Sequence, residues 1–223
     1  MRLHFVVEGQ AEETFVRDIL APELGGRRIF CDAHRVTTGR RKGKMYRGGM
    51  VEYLHLRRDL ELWIKQDGGT DSWFTTMIDL YGLPAEFPGI EASRRQADPY
   101  DRVRTLESGF AEDVGYRRFV PYIQIHEFEA LLFADPKMFQ VAFPDLGPRL
   151  AELQAVRQVT QNPELIDDGF ETCPSRRICA IVPEYSKPSS GPLIANHIGL
   201  PALRRECRHF GEWIDRILAV AEE

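Results

Sequence analysis

The sequence predicts an α/β fold: a mostly parallel sheet flanked by helices, followed by a mainly helical C-terminal part. Three observations lead there. Strand-length apolar runs recur at 3–7, 73–78 and 119–125. Amphipathic helical stretches separate them, the alternation that parallel strands require. From Asp135 onward the apolar spacing is almost entirely helical. The expected organisation is an α/β core over 1–135 with a helical part over 136–223 packed on it.

The elements follow in order. Leu3-His4-Phe5-Val6-Val7 reads as a short buried strand, and Glu8-Gly9 turns it into a helix over about 11–20, expected to end before Pro22 and the Gly25-Gly26 pair. A short strand is expected within 28–36, then a glycine-interrupted loop over 37–49. Tyr53, Leu56, Leu60, Trp63 and Ile64 recur at helical spacing and predict a helix over 50–66. The β-branched and aromatic run Trp73–Ile78 is a strand that stops at Asp79. Asp98-Pro99 starts a helix, with a capping aspartate and a first-turn proline. A strand over about 119–125 leads into a helix over 126–133. Further helices are expected at about 136–142, 148–160, 192–198 and 207–221, with one short strand at 178–182.

Composition narrows the function classes. At 223 residues the chain suits one large domain, and 43% hydrophobic with 28% charged residues is ordinary for a globular protein. Four cysteines lack CxxC spacing, so reduced thiols are expected, not a zinc site or disulfide framework. No apolar run is long enough for a membrane span, and the chain enters a strand without a signal-peptide pattern, which predicts a cytoplasmic protein with no membrane partner. A net charge of −5 means that attraction to phosphates must be local. The spacings GxxxxGK[ST], GxGxxG and GxSxG are absent, which argues against autonomous P-loop ATP hydrolysis.

The chemistry gathers at strand ends. Ligands of open α/β sheets bind outside the carboxyl ends of the strands, and the three main strand runs here end near acids: Glu8, Asp79 and Glu127. On the first helix Ala11, Phe15, Val16, Ile19 and Leu20 form the apolar stripe, and Glu12 falls inside it. Acids also favour helix N-termini and aspartate also starts turns, so capping competes with a metal role. If the strands are parallel neighbours, their carboxylates share one edge and repel unless a divalent cation neutralises them. Hard oxygen donors suit Mg²⁺ or Mn²⁺. Of Glu127 and Glu129, a helical reading of the segment brings only one to the site, and Glu127 is favoured. His126 is a ligand, a general base or a structural histidine. Arg40, Arg41, Lys42, Lys44 and Arg47 form a basic loop, either a polynucleotide contact or a solvated surface. Lys187, expected in a loop before a helix, is a candidate for stabilising charge on a phosphate.

Four segments carry a family resemblance: Val7-Glu8-Gly9-Gln10-Ala11-Glu12-Glu13, Ile78–Pro84, Pro121–Phe133 and Lys187–Ala195. Through them the chain resembles the DUF4276 family, related to the TOPRIM domain of topoisomerases, primases and overcoming-lysogenization-defect nucleases. The resemblance implies a TOPRIM-like fold and a Mg²⁺-dependent nuclease. It maps the TOPRIM glutamate onto Glu8, the second glutamate of the nuclease branch onto Glu12, and the first aspartate of the DxD pair onto Asp79. Tyr81 stands at the second DxD position, so either Glu127 or Glu129 substitutes or fewer metals bind. The resemblance also implies a separate ABC-type ATPase partner and a place in an anti-phage defence module.

The leading expectation is therefore phosphodiester hydrolysis of DNA or RNA, with catalysis assigned to Glu8, Glu12, Asp79, Lys187 and His126 and metal held by Glu8, Glu12, Asp79, Glu127 and Glu129. One rival is a degenerate subunit that regulates an ATPase without catalysis. Another is phosphoryl chemistry on a small nucleotide.

Overall fold

The computed structural model describes residues 1–36, 52–166, 169 and 172–222. Its centre is a parallel sheet of β1 (Arg2–Val7), β2 (Phe30–Arg35), β3 (Ser72–Asp79), β4 (Phe119–Val120) and β5 (Ile123–Gln124). The order is β2-β1-β3-β4, with β5 also paired to β3, and every pairing is parallel. The helices are α1 (Gln10–Phe15), α2 (Ala21–Gly25), α3 (Tyr53–Asp67), α4 (Ile90–Ser93), α5 (Pro99–Val114), α6 (Phe139–Ala142), α7 (Arg149–Gln158), α8 (Pro174–Ile181), α9 (Lys187–Ile198), α10 (Leu200–Glu206) and α11 (Arg208–Val220).

Both faces of β1 are covered, as burial of its continuous apolar run requires. Leu3, Phe5 and Val7 face one core, shared with Phe15 of α1, Ile194 of α9 and Trp213 of α11. Val6, Phe74 and Ile78 face a second core, against Leu56 and Leu60 of α3 and Val103 and Phe110 of α5. The C-terminal helices thus belong to the first core. Among the described residues no helix is long and apolar enough to cross a membrane, and the four cysteines are unbridged.

Five local expectations change. The first helix does not end before Pro22: a π-turn over Val16–Leu20 joins α1 to α2, and Ala21 N–H donates to the Val16 carbonyl. Pro22 then lies in the first turn of α2, where its missing N–H is harmless. The expected strand at 119–125 is split into β4 and β5 by Pro121, which has no ladder donor. There the Thr76 hydroxyl donates to the Tyr122 carbonyl and accepts from Tyr122 N–H, both at 3.0 Å. The expected strand at 178–182 is largely helix α8, since a short apolar run fits either element and Pro174 starts the helix. Residues 126–133 are not an α-helix: His126 has φ +62°, and a 3₁₀ segment follows over Phe128–Ala134. Lys187 is not in a loop but is the first residue of α9, five residues before the expected helix start at 192.

Candidate functional site

Parallel pairing sets Glu8 and Asp79 at the same sheet edge. Val7 of β1 lies opposite Met77 of β3, and each strand runs on to its acid. The two are joined directly: Asp79 N–H donates to Glu8 Oε2 at 3.0 Å. Asp79, 6% exposed, accepts on Oδ1 from Phe128 N–H at 3.0 Å. The glycine turn after β1 starts α1 and turns Glu12 inward, to 2% exposure. The 3₁₀ segment carries Glu129, 1% exposed, whose Oε1 accepts from the Tyr185 hydroxyl at 3.3 Å.

These acids meet one cation. Lys187 Nζ lies 2.9 Å from Asp79 Oδ2, 3.1 Å from Glu12 Oε1 and 3.4 Å from Glu129 Oε2, and 5.9 Å from the centre of the Phe128 ring. Glu12 Oε1 and Glu129 Oε2 have no access to solvent, and each faces the Lys187 ammonium. Gly82 lies tight on Glu8: a Cβ there would sit 3.2 Å from both carboxylate oxygens. Any side chain at position 82 therefore disturbs Glu8.

The electrostatics follow from crowding. Burial pushes Glu8 above the usual carboxylate range, opposed by the Asp79 N–H bond and Lys187. Burial also holds Asp79 well up, against the pull of Lys187, and pushes Glu129 up to about 7. Burial works against the Lys187 charge, but Asp79, Glu129, Glu12 and Glu8 outweigh it and hold the ammonium well above the ordinary lysine value. One positive charge thus serves several acids that burial alone would keep protonated.

The remaining predicted residues divide. Glu127, favoured over Glu129, instead accepts from the backbone N–H and hydroxyl of Ser175 at the start of α8, the latter at 3.0 Å. Glu129 reaches the ammonium because the tighter 3₁₀ winding buries it with Phe128. His126 is 5% exposed, in left-handed backbone uncommon outside glycine. Its carbonyl accepts from Tyr81 N–H at 3.1 Å, and its ring lies 6.4 Å from the half-exposed Tyr81 ring. Arg40, Arg41, Lys42, Lys44 and Arg47 lie outside the described residues. Sequence reasoning missed Tyr185, Ser175 and Gly82. Tyr185 had one signal, its place two residues before Lys187; nothing near Ser175 pointed across to Glu127.

The family model described as "Domain of unknown function (DUF4276)" matches residues 7–218, which include every acid of the cluster and Lys187. The chain belongs to the DUF4276 family. Across the family match, the cluster draws on residues from Glu8 to Lys187, so the helical C-terminal part completes a site begun by the sheet. No curated protein matches the chain. Two solved structures are similar to it, both of the C-terminal region of the OLD protein of Xanthomonas campestris pv. campestris. The one phased with iodine has 16% identity and TM-score 0.46, covering 99% of this chain and 97% of that one. The one phased with mercury has 15% identity and TM-score 0.41, covering 99% and 98%.

The donor set suits a hard divalent cation in chemistry, being carboxylate oxygens, two of them sealed from solvent. Its present arrangement is fitted to an ammonium. Among the described residues no group of three or more His, Cys, Asp or Glu side chains is arranged to hold a metal ion.

Proposed function

We propose that this DUF4276 chain is a divalent-cation-dependent nuclease that hydrolyses phosphodiester bonds of DNA or RNA. The observation that carries the reading is the convergence of buried carboxylates from α1, β3 and the 3₁₀ segment on one ammonium at the carboxyl edge of a parallel sheet, with Glu8, just past β1, bonded to Asp79 N–H. Glu8, Glu12, Asp79 and Glu129 would hold Mg²⁺ or Mn²⁺, with Glu127 at the rim. Such an ion lowers the pKa of bound water and polarises a phosphoryl oxygen. The chain's own part is positioning. Phe128 N–H fixes Asp79, Asp79 N–H fixes Glu8, and Tyr185 fixes Glu129. Lys187 supplies positive charge for the pentavalent transition state, and the basic residues Arg40, Arg41, Lys42, Lys44 and Arg47 draw in the polyanion. A TOPRIM-like identity, a separate ABC-type ATPase partner and a role in anti-phage defence extend the reading by family resemblance.

The test is cleavage of plasmid DNA and of RNA by the purified chain with Mg²⁺ or Mn²⁺. Glu8→Gln and Asp79→Asn are expected to lose about 100-fold or more in rate, about 2.7 kcal/mol of barrier. Wild-type rates in both variants would remove the site assignment.

A second reading is a non-catalytic subunit that regulates an ATPase. It is favoured by Tyr81 in place of an acid and by the lysine already inside the cluster. A chain that binds no metal but forms a stable complex with a partner ATPase would select it.

A further inference from the structure

We infer that Tyr81 is a base-stacking platform at the rim of the candidate site, so that the nucleotide taken beside the carboxylate–lysine cluster is an unpaired one in single-stranded DNA or RNA. The inference rests on the nuclease reading and names the form of its substrate.

Three observations carry it. The first is where the ring stands. Among the described residues two phenyl or phenol rings are exposed, Phe30 at 64% and Tyr81 at 43%. Phe30 opens β2 and so lies at the amino edge of the parallel sheet, whereas Tyr81 comes two residues after the end of β3, at the carboxyl edge. Two residues of chain span at most about 7 Å, which keeps Tyr81 close to Asp79. Gly82, the next residue, is pressed against the Glu8 carboxylate. The Tyr81 ring also meets the ring of His126, 6.4 Å between centres, one residue before Glu127. It thus stands between the Glu8 and Glu127 shoulders of the site.

The second observation is that the backbone under the ring is fixed. Tyr81 is the middle residue of a 3₁₀ turn over Leu80–Gly82. Its N–H donates to the His126 carbonyl at 3.1 Å, and Leu83 N–H closes the turn on the Leu80 carbonyl at 3.4 Å. A group held in place before binding loses little freedom when a ligand settles on it.

The third is that the ring stands alone. Leu80 before it is buried and Leu83 after it is half-buried. A protein partner needs a contiguous apolar patch, whereas one nucleobase needs one aromatic face. Bases within a duplex stack on each other, so an unpaired base is the one with a face to offer. With that base on Tyr81, the adjoining phosphate reaches the Asp79–Lys187 pair, where the lysine side chain is 34% exposed.

The experiment is binding of a short oligonucleotide to the full chain in Mg²⁺, as a single strand and as a duplex of the same sequence. Nuclease-resistant phosphorothioate linkages prevent cleavage, and a fluorescent purine analogue in the strand reports stacking. Wild type is expected to bind the single strand about tenfold or more tightly than the duplex and to quench the analogue. Tyr81→Ala is expected to lose about tenfold in affinity together with the quenching, and Tyr81→Phe to keep both, because stacking uses the ring and not the hydroxyl. Wild-type affinity in Tyr81→Ala, loss of binding in Tyr81→Phe, or equal affinity of wild type for the two forms overturns the inference. Binding of neither form by wild type overturns it as well. In each of these cases cleavage of plasmid DNA or RNA by wild type leaves the nuclease reading standing, and absence of cleavage removes both.

Discussion

Two regions of this molecule bury carboxylates, and they treat them in opposite ways. In one, Glu164 receives His209 N–H on one oxygen and Phe210 N–H on the other, at 2.8 and 3.0 Å, tying down the start of α11. Beside it Glu107 accepts from Ile123 N–H at 3.0 Å, faces His209 Nε2 at 2.9 Å and pairs with Arg216 at 3.3 Å. His209 in turn stacks on Tyr122, which stacks on Trp213 at 4.1 Å. Every oxygen in that network has a polar partner. At the sheet edge, by contrast, three acids share one lysine, and two of their solvent-sealed oxygens face that ammonium alone among the contacts described. A satisfied buried network stabilises a fold, whereas an under-satisfied one stores cost and marks function. The contrast separates a structural tie from a working site although both are built of glutamates.

The largest expected effect lies in the satisfied network. Glu164→Ala strands two buried N–H groups at the start of α11, at about 1–3 kcal/mol each. Urea unfolding should show a loss of about 2–4 kcal/mol, with Mn²⁺ affinity of the folded variant unchanged. A variant as stable as wild type would dissolve the distinction between the two regions.

The site acids should behave in the opposite sense. Burial raises Glu129 to about 7 from an ordinary 4.5. Because its folded value is the higher one, the stability it contributes is complete below about 4.5 and is lost as pH rises through about 7. Glu129→Gln, uncharged at every pH, removes that loss. In metal-free protein the variant should equal or exceed wild type at pH 8, by on the order of 1–3 kcal/mol, while binding Mn²⁺ more weakly. Urea unfolding at pH 5 and pH 8 measures it, and a variant less stable than wild type at pH 8 would place Glu129 with the structural acids. Gain of stability with loss of binding is the pattern expected of a functional acid.

How much of this was legible differs by element. The parallel sheet was, because β1 and β3 are unbroken apolar runs and α3 and α5 repeat at helical spacing. Glu8 and Asp79 were legible for the same reason, since a strand's last residue fixes its sheet edge whatever its neighbours do. Glu12 followed from a helical wheel. The third acid was not legible. Choosing Glu127 over Glu129 assumed α-helical geometry, and the left-handed turn at His126 with the 3₁₀ winding after it reversed which glutamate faces Lys187. Nor does spacing show that Lys187, over a hundred residues from Asp79, lands on it. That contact depends on how α9 packs against α1 and the 3₁₀ segment, which is tertiary information. Pro121 was visible, but its consequence depended on Thr76 supplying the missing partner.

The smallest effect tests whether acid sensitivity belongs to the site at all. In the middle of β1, on its second-core face, His4, 1% exposed, lies 2.8 Å from Asp67, stacked on the Phe74 ring with the Trp63 ring tilted against it. Burial lowers its pKa below 6.5 despite the pull of Asp67 and Asp32. Here the folded value is the lower one, so the unfolded chain takes up the proton first, and stability is lost as pH falls from about 6.5 toward the folded value. Glu129 has the opposite slope over much of the same range and masks it in wild type. The effect should therefore be read in the Glu129→Gln background. There stability is expected to decline between pH 7 and pH 5, and adding His4→Gln should flatten the decline. If the double variant keeps the full slope, the decline does not arise from His4, and the raised acids of the cluster, which titrate with the opposite sign, do not supply it either.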